Sequence, residues 1–136
     1  MPFGDRCVEI RLSSSSVQIS GDSFKVEFRE RAVVVEGSRD VSLHSIRGGK
    51  RKVVYIWLHS SNGVPCRNEV AKEFESMLVH VKCIELATGN YLNIVLAGSF
   101  LVDYAVLSEG VLALVIPGKR EVYVDRAGSA VTIYLV

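Results

Sequence analysis

Three histidines, three cysteines and one dense basic cluster are the residues of this chain whose types could do chemistry. His44, His59 and His80 suit acid–base work or metal ligation, but none stands at a ligand-like spacing from another His or Cys. One helical turn before His80 lies Ser76, which does not complete a pair, so each histidine reads as a packing or surface residue. Cys66, beside Arg67 at an expected helix start, is the best placed thiol, because a helix N-terminus and a cation both lower a thiol pKa. The sequence identifies no base to activate it, and a small residue in a helix first turn is the better reading. Gly48-Gly49 among basic residues resembles a phosphate cradle, yet a P-loop needs a following helix and a Gly-Lys-Ser/Thr ending. Here a strand follows, so the pair marks a hairpin turn. No set of nucleophile, base and orienting group can be assembled, and neither an enzymatic activity nor a metal or cofactor is expected.

Arg47, Lys50, Arg51 and Lys52 remain as the densest positive cluster, at the tip of that hairpin, with a weaker second site at Lys119-Arg120 and Arg126. A basic hairpin tip is one way for a small β protein to reach nucleic-acid phosphates. Single-strand binding also wants aromatics interleaved with the charges, and Tyr55 and Trp57 follow the tip at alternate positions. Val53 shares their parity while Val54, Ile56 and Leu58 fill the other side, and the two rings are expected in the core.

Composition bounds these readings. At 136 residues, 49% hydrophobic and 23% charged, the chain is globular rather than disordered. A formal net charge of +1 is low for a protein that depends on neutralising phosphates. The basic character lies in the first 80 residues, where Lys and Arg outnumber Asp and Glu, whereas beyond residue 80 the acids lead by one. Cys7, Cys66 and Cys83 are an odd number without CxxC spacing, which points away from a disulfide framework and toward a reducing compartment. No signal peptide opens the sequence, and no unbroken apolar run reaches the ~18 residues of a membrane span, so a cytoplasmic location is expected.

The elements that would position these residues are mostly strands. CVEIRL, VQIS, FKVEF, AVVVEG, DVSLHSI and VVYIWL alternate or are rich in β-branched residues, with turn residues between them. Val70, Phe74, Met77, Leu78 and Val81 then recur at helical spacing after Pro65, with Glu69, Lys72, Glu73 and Glu75 opposite. This predicts one amphipathic helix over residues 66–81. From Lys82 the pattern returns to strands: KCIEL, YLNIVL, FLVDYAVL, VLALVI, EVYV and a final VTIYLV. The stretch Gly89–Val124 is apolar but broken every few residues by Gly, Asn, Ser-Glu-Gly or Pro-Gly. Strands, one helix, then strands imply an α+β fold of two small units, residues 1–80 and 81–136, with a single barrel carrying one helix as the competing architecture.

Within that order Phe74-Glu75, Gly89, Leu92-Asn93, Gly98-Ser99, Val102, Glu109-Gly110-Val111, Pro117 and Glu121-Val122-Tyr123-Val124 succeed one another at informative spacings. They resemble the second half of the universal large-subunit ribosomal protein family called L six (L nine in the eukaryotic scheme). Val8-Glu9-Ile10, Val17-Gln18-Ile19, Gly21 and Phe24-Lys25-Val26 are compatible with its first half. The resemblance implies a non-catalytic ribosomal protein bound to large-subunit ribosomal RNA and to neighbouring ribosomal proteins. Arg47, Lys50, Arg51, Lys52, Lys119, Arg120 and Arg126 would then position phosphates on a folded RNA shape. The alternative is a β-rich interaction module or assembly subunit without an RNA role, for which the near-neutral charge and apolar second half speak. In that case a strand such as FLVDYAVL would offer an exposed edge to a protein partner.

Overall fold

Val17, Ile19, Val26, Phe28, Val33 and Val35 alternate with polar or less buried neighbours, and all six are buried. A period of two turns one side of each segment inward and leaves the other to solvent, which suits an antiparallel sheet with one covered face. The computed structural model describes residues 8–45, 51–59, 69–74, 77–86, 89–97, 100–118 and 121–135. Among them run thirteen strands in two sheets. The meander β1 (Glu9–Leu12), β2 (Val17–Ser20), β3 (Lys25–Phe28) and β4 (Ala32–Glu36) is joined by the hairpin of β12 (Val122–Ala127) and β13 (Ala130–Leu135). Their order, β1-β2-β3-β4-β13-β12, makes a six-stranded sheet.

The other sheet contains β5 (Ser38–Ser45), β6 (Arg51–Leu58), β7 (Glu69–Phe74), β8 (Met77–Leu86), β9 (Gly89–Leu96), β10 (Tyr104–Ser108) and β11 (Val111–Pro117). They lie in the order β5-β6-β11-β10-β9-β8-β7, every pair antiparallel. Inward residues of both sheets form one continuous core, so the architecture is a β-sandwich. Both sheets take strands from either side of residue 80. Phe100, Leu101 and Val102, expected within a strand, instead pack into the core from the β9–β10 connection. Glu109 and Gly110 join β10 to β11 with φ of 49° and 80°, the two positive values that a type I′ hairpin turn demands.

The two sheets share a corner at Gly37, where the chain leaves β4 and enters β5. Its φ is +89°, and a Cβ there would stand 2.1 Å from the carbonyl oxygen of Ser23. Only glycine fits, on both sterics and φ. The N–H groups of Gly37 and Ser38 donate to the carbonyl of Ser129 in the β12–β13 turn at 3.1 and 2.8 Å, while the Gly37 carbonyl accepts from His59 at 3.0 Å. A bulge between Ser38 and Asp40 bends the new strand onto the second sheet. Ser38 is buried, its hydroxyl satisfied by donation to the Asp40 carbonyl at 3.2 Å.

The expected α+β fold is not what forms: the chain is all-β, and no helix occurs among the described residues. Of the predicted helix, Glu69–Phe74 and Met77–Leu86 are the strands of a hairpin, with Val70 beside Val81 and Ala71 beside His80. Two side chains show which periodicity won. Leu78, on the expected helical stripe, is 49% exposed, whereas Val79, off that stripe, is fully buried. Val79 and Val81 face the core together with Cys83, and β9 pairs along the whole strand. A few apolar residues at mixed spacings fit both periods, and a neighbouring strand decides between them. Residues 60–68, with Cys66 and Arg67, lie outside the described residues.

Gly37→Ala is expected to lower stability well beyond the ~1 kcal/mol of a positive-φ alanine, because backbone stands in the way. Gly118→Ala, with φ +83° but nothing within 4 Å, should show only that smaller effect. Urea unfolding of the two variants makes the comparison, and equal losses would argue against the corner.

Candidate interaction surface

The outer faces of the two sheets differ in kind. On the six-stranded sheet, Arg11, Gln18, Lys25, Glu27, Glu36, Thr132 and Asp125 point outward by strand parity and register, together with Val34 and the stacked rings of Tyr123 and Tyr134. Ion pairs of Arg11 with Glu9 at 2.6 Å and of Arg29 with Glu27 at 2.7 Å lie on that side. Charge is thus distributed over this exterior, on β1, β3, β4 and β12, as on the solvated face of a half-buried antiparallel sheet.

The seven-stranded sheet is apolar on its outside as well. β6 contributes Val53, Tyr55 and Trp57; β11 Val111, Ala113 and Val115; β10 Tyr104, Val106 and Ser108; β9 Tyr91, Asn93 and Val95. None of these twelve is charged. Tyr55 is 37% and Val95 40% exposed, and Val115 is buried although it lies outside the core cluster. Tyr55 and Trp57, expected in the core, therefore line the exterior; Val54, Ile56 and Leu58 take the inward places. Tyr55 lies between two rings, His44 edge-on at 5.6 Å and Trp57 at 6.3 Å. FLVDYAVL does not supply an edge, because β10 is flanked by β9 and β11. The edges are β5 and β7.

Charge returns only at the flanks of this face. On β7 and β8 stand Glu69, Glu73, His80 and Lys82, with His80 Nε2 at 3.3 Å from Glu69 Oε1. On the β5–β6 side are Asp40, His44 and Arg51, and the hydroxyl of Ser42 lies 3.2 Å from His44 Nε2. His59 enters the structure through its backbone bond at the Gly37 corner. The three histidines are thus spread over the second sheet, and no cluster of three or more His, Cys, Asp and Glu suited to a metal occurs among the described residues.

Of the basic residues expected to touch RNA, Arg47, Lys50, Lys119 and Arg120 lie outside the described residues. Arg51 and Lys52 open β6, and register sets Arg51 opposite Pro117, two residues before Lys119. Arg126 is elsewhere. It belongs to β12 of the other sheet, and its guanidinium donates to the carbonyls of Arg39 at 2.7 Å and Gly128 at 3.1 Å. It also lies 3.6 Å from Asp40 Oδ1. Asp40 pairs with Trp57, six residues along β6 from Arg51, so Arg126 and Arg51 mark ends of the sandwich about 20 Å apart. Arg126 is thereby a clasp between the C-terminal hairpin and the bulge that starts β5.

An open depression of about 550 Å³ is lined by Ser15, Ser16, Glu27, Arg29, Glu30, Arg31 and Ala32, beside the β1–β2 and β3–β4 turns. Its charges are of both signs and one pair is already joined. The Arg29 hydrogen bond, chiefly, holds the Glu27 carboxyl below its usual range, with the Arg29 charge, Gln18 and Lys25 adding to it and desolvation opposing.

Two outcomes follow from these contacts. Arg126→Met should lower the unfolding free energy by about 1 kcal/mol through loss of charge-assisted bonds between the sheets, read by thermal melting. Because Glu27 has a lower pKa folded than unfolded, its pair stabilises at neutral pH and is lost as pH falls through the carboxylate range. Glu27→Gln should therefore shrink the difference in stability between pH 7 and pH 3. An undiminished difference would show that the pair adds nothing. Compared with known proteins, the chain matches no family model, no curated protein and no solved structure.

Proposed function

We propose that this chain is a non-catalytic assembly subunit whose working surface is the outer face of the seven-stranded sheet, and that its partner is a protein. The carrying observation is the contrast between the two exteriors: twelve uncharged positions across four adjacent strands on one side, and a face with charges interspersed among its strands on the other. Contiguous apolar surface of this kind, rimmed by charge, marks a protein contact rather than a solvated wall. Its aromatic residues, Tyr55, Trp57, Tyr91 and Tyr104, are of the type enriched where interfaces bury most energy. Nucleic acid would require cations across the face, to replace the counterions it releases, and the twelve central positions carry none. The ribosomal reading has less to support it, since Arg126 is engaged within the fold and the segment ending at Phe74 is a strand.

Val106 stands at the middle of the face, on the central strand β10. Val106→Glu would place a carboxylate inside any contact made there while leaving the core untouched. The natural protein in a lysate is expected to migrate above its 15.0 kDa monomer mass, and to do so after ribonuclease treatment. The variant should fall to monomer size with an unchanged circular dichroism spectrum. Assembly that ribonuclease dissolves and Val106→Glu leaves intact would overturn the proposal.

A further inference from the structure

Resting on that reading, we infer that the face is covered by a second copy of the same chain, related by a two-fold axis running along strand β10. Seven strands place β10 fourth, at the centre, with three strands on each side. A two-fold axis parallel to the strands, lying between two such faces, reverses strand order without changing height along the strands. β10 then faces its own copy, and the β5–β6 flank of one protomer lies over the β7–β8 flank of the other.

Register makes this arrangement specific. Following the pairings across the sheet, Arg51 stands level with Pro117, and Glu73 is level with Leu78, whose carbonyl is bound by the Ala97 N–H. Tyr104 pairs with both Val115 and Val95, two positions inward from Pro117 and Ala97 respectively. Arg51 and Glu73 therefore sit at one height, on opposite flanks of the same face. Both are exposed, and neither makes an ion pair among the described residues. In the two-fold arrangement each Arg51 comes over Leu78 of the second copy, which is 49% exposed, with Glu73 beside it. The arginine stem would cover the leucine while the guanidinium meets the carboxylate, and symmetry makes the contact twice. The opposite choice, an axis across the strands, would put each flank over its own copy and bring like charges together.

The size of the face fits. Six strand spacings of ~4.8 Å and three outward rows span roughly 29 by 20 Å, or about 600 Å² per copy. Two copies would bury about 1,200 Å², the lower end of specific interfaces. Twisted sheets of the same hand also stack face to face at ~10 Å with their strands nearly aligned.

Sedimentation of the purified natural protein at micromolar concentration should give a species of about 30 kDa, a pair of identical chains. Arg51→Glu and Glu73→Arg should each weaken self-association about tenfold or more, since each sets like charges together twice. Mixing the two variants should restore association as a heterodimer, and the double variant Arg51→Glu/Glu73→Arg should recover the homodimer. That recovery separates lost complementarity from misfolding. Single reversals without effect, or a mixture that gains nothing, would overturn the inferred axis. A natural protein that stays monomeric when pure would overturn the second copy as partner. In that case a Val106→Glu-sensitive assembly in lysate would still uphold the protein-contact reading, and no such assembly would end both.

Discussion

One carbonyl oxygen, that of Ser129, receives N–H groups from both Gly37 and Ser38, and at that point the two sheets become one molecule. The chain cannot pass from β4 to β5 unless its backbone turns sharply against Ser23, and glycine alone permits that approach. Once it has turned, the bulge at Ser38–Asp40 sets the slant of β5, and β6 takes its register from β5. β11 then pairs with β6, so the placement of the whole second sheet descends from this corner. Arg126 reinforces it from the C-terminal side by holding the Arg39 carbonyl. Hydrophobic burial drives the sheets together, but it is non-directional; the corner supplies the direction.

The same geometry explains how one sheet can be apolar on both sides. A strand with alternating character buries half of its residues, and its other half remains free to answer a different demand. From Val53 onward in β6, and throughout β11, β10 and β9, both halves are hydrophobic or uncharged, as in strands covered on two faces. The core covers one face. A sandwich of two sheets leaves the other bare, and the edge strand β7, with Glu69, Lys72 and Glu73, keeps charge at the border where unpaired backbone would otherwise invite further strands.

Much of the strand content was legible in the amino-acid sequence, because alternation such as Val17-Gln18-Ile19 and turn pairs such as Glu109-Gly110 are local signals. The hairpin of β7 and β8 was not. Its apolar residues satisfy a helical period as well as a strand period, and what separates Leu78 outside from Val79 inside is the presence of β9 alongside. Alternation in β6 likewise divides Val54, Ile56 and Leu58 from Val53, Tyr55 and Trp57, but does not say that the ring-bearing side is the exterior. The candidate surface was therefore invisible for a physical reason: it is assembled from four strands whose neighbours in space, such as Trp57 and Val111, are far apart in the chain. The charged residues that drew notice first form no single patch, since strand register separates Arg51 from Arg126.

That non-local assembly also has a kinetic side. β1 to β4, and β7 to β11, are meanders that can zip up hairpin by hairpin, each turn joining strands already close in sequence. The joins that close the sandwich, Val33 with Ile133 and Ile56 with Leu112, need long loops to be fixed before they return any contact energy. Until they form, the β8–β11 ribbon is greasy on two sides with nothing over either. A chain built this way passes its most aggregation-prone moment late in folding, and reaching the closed corner quickly matters as much to its survival as the stability of the corner once made.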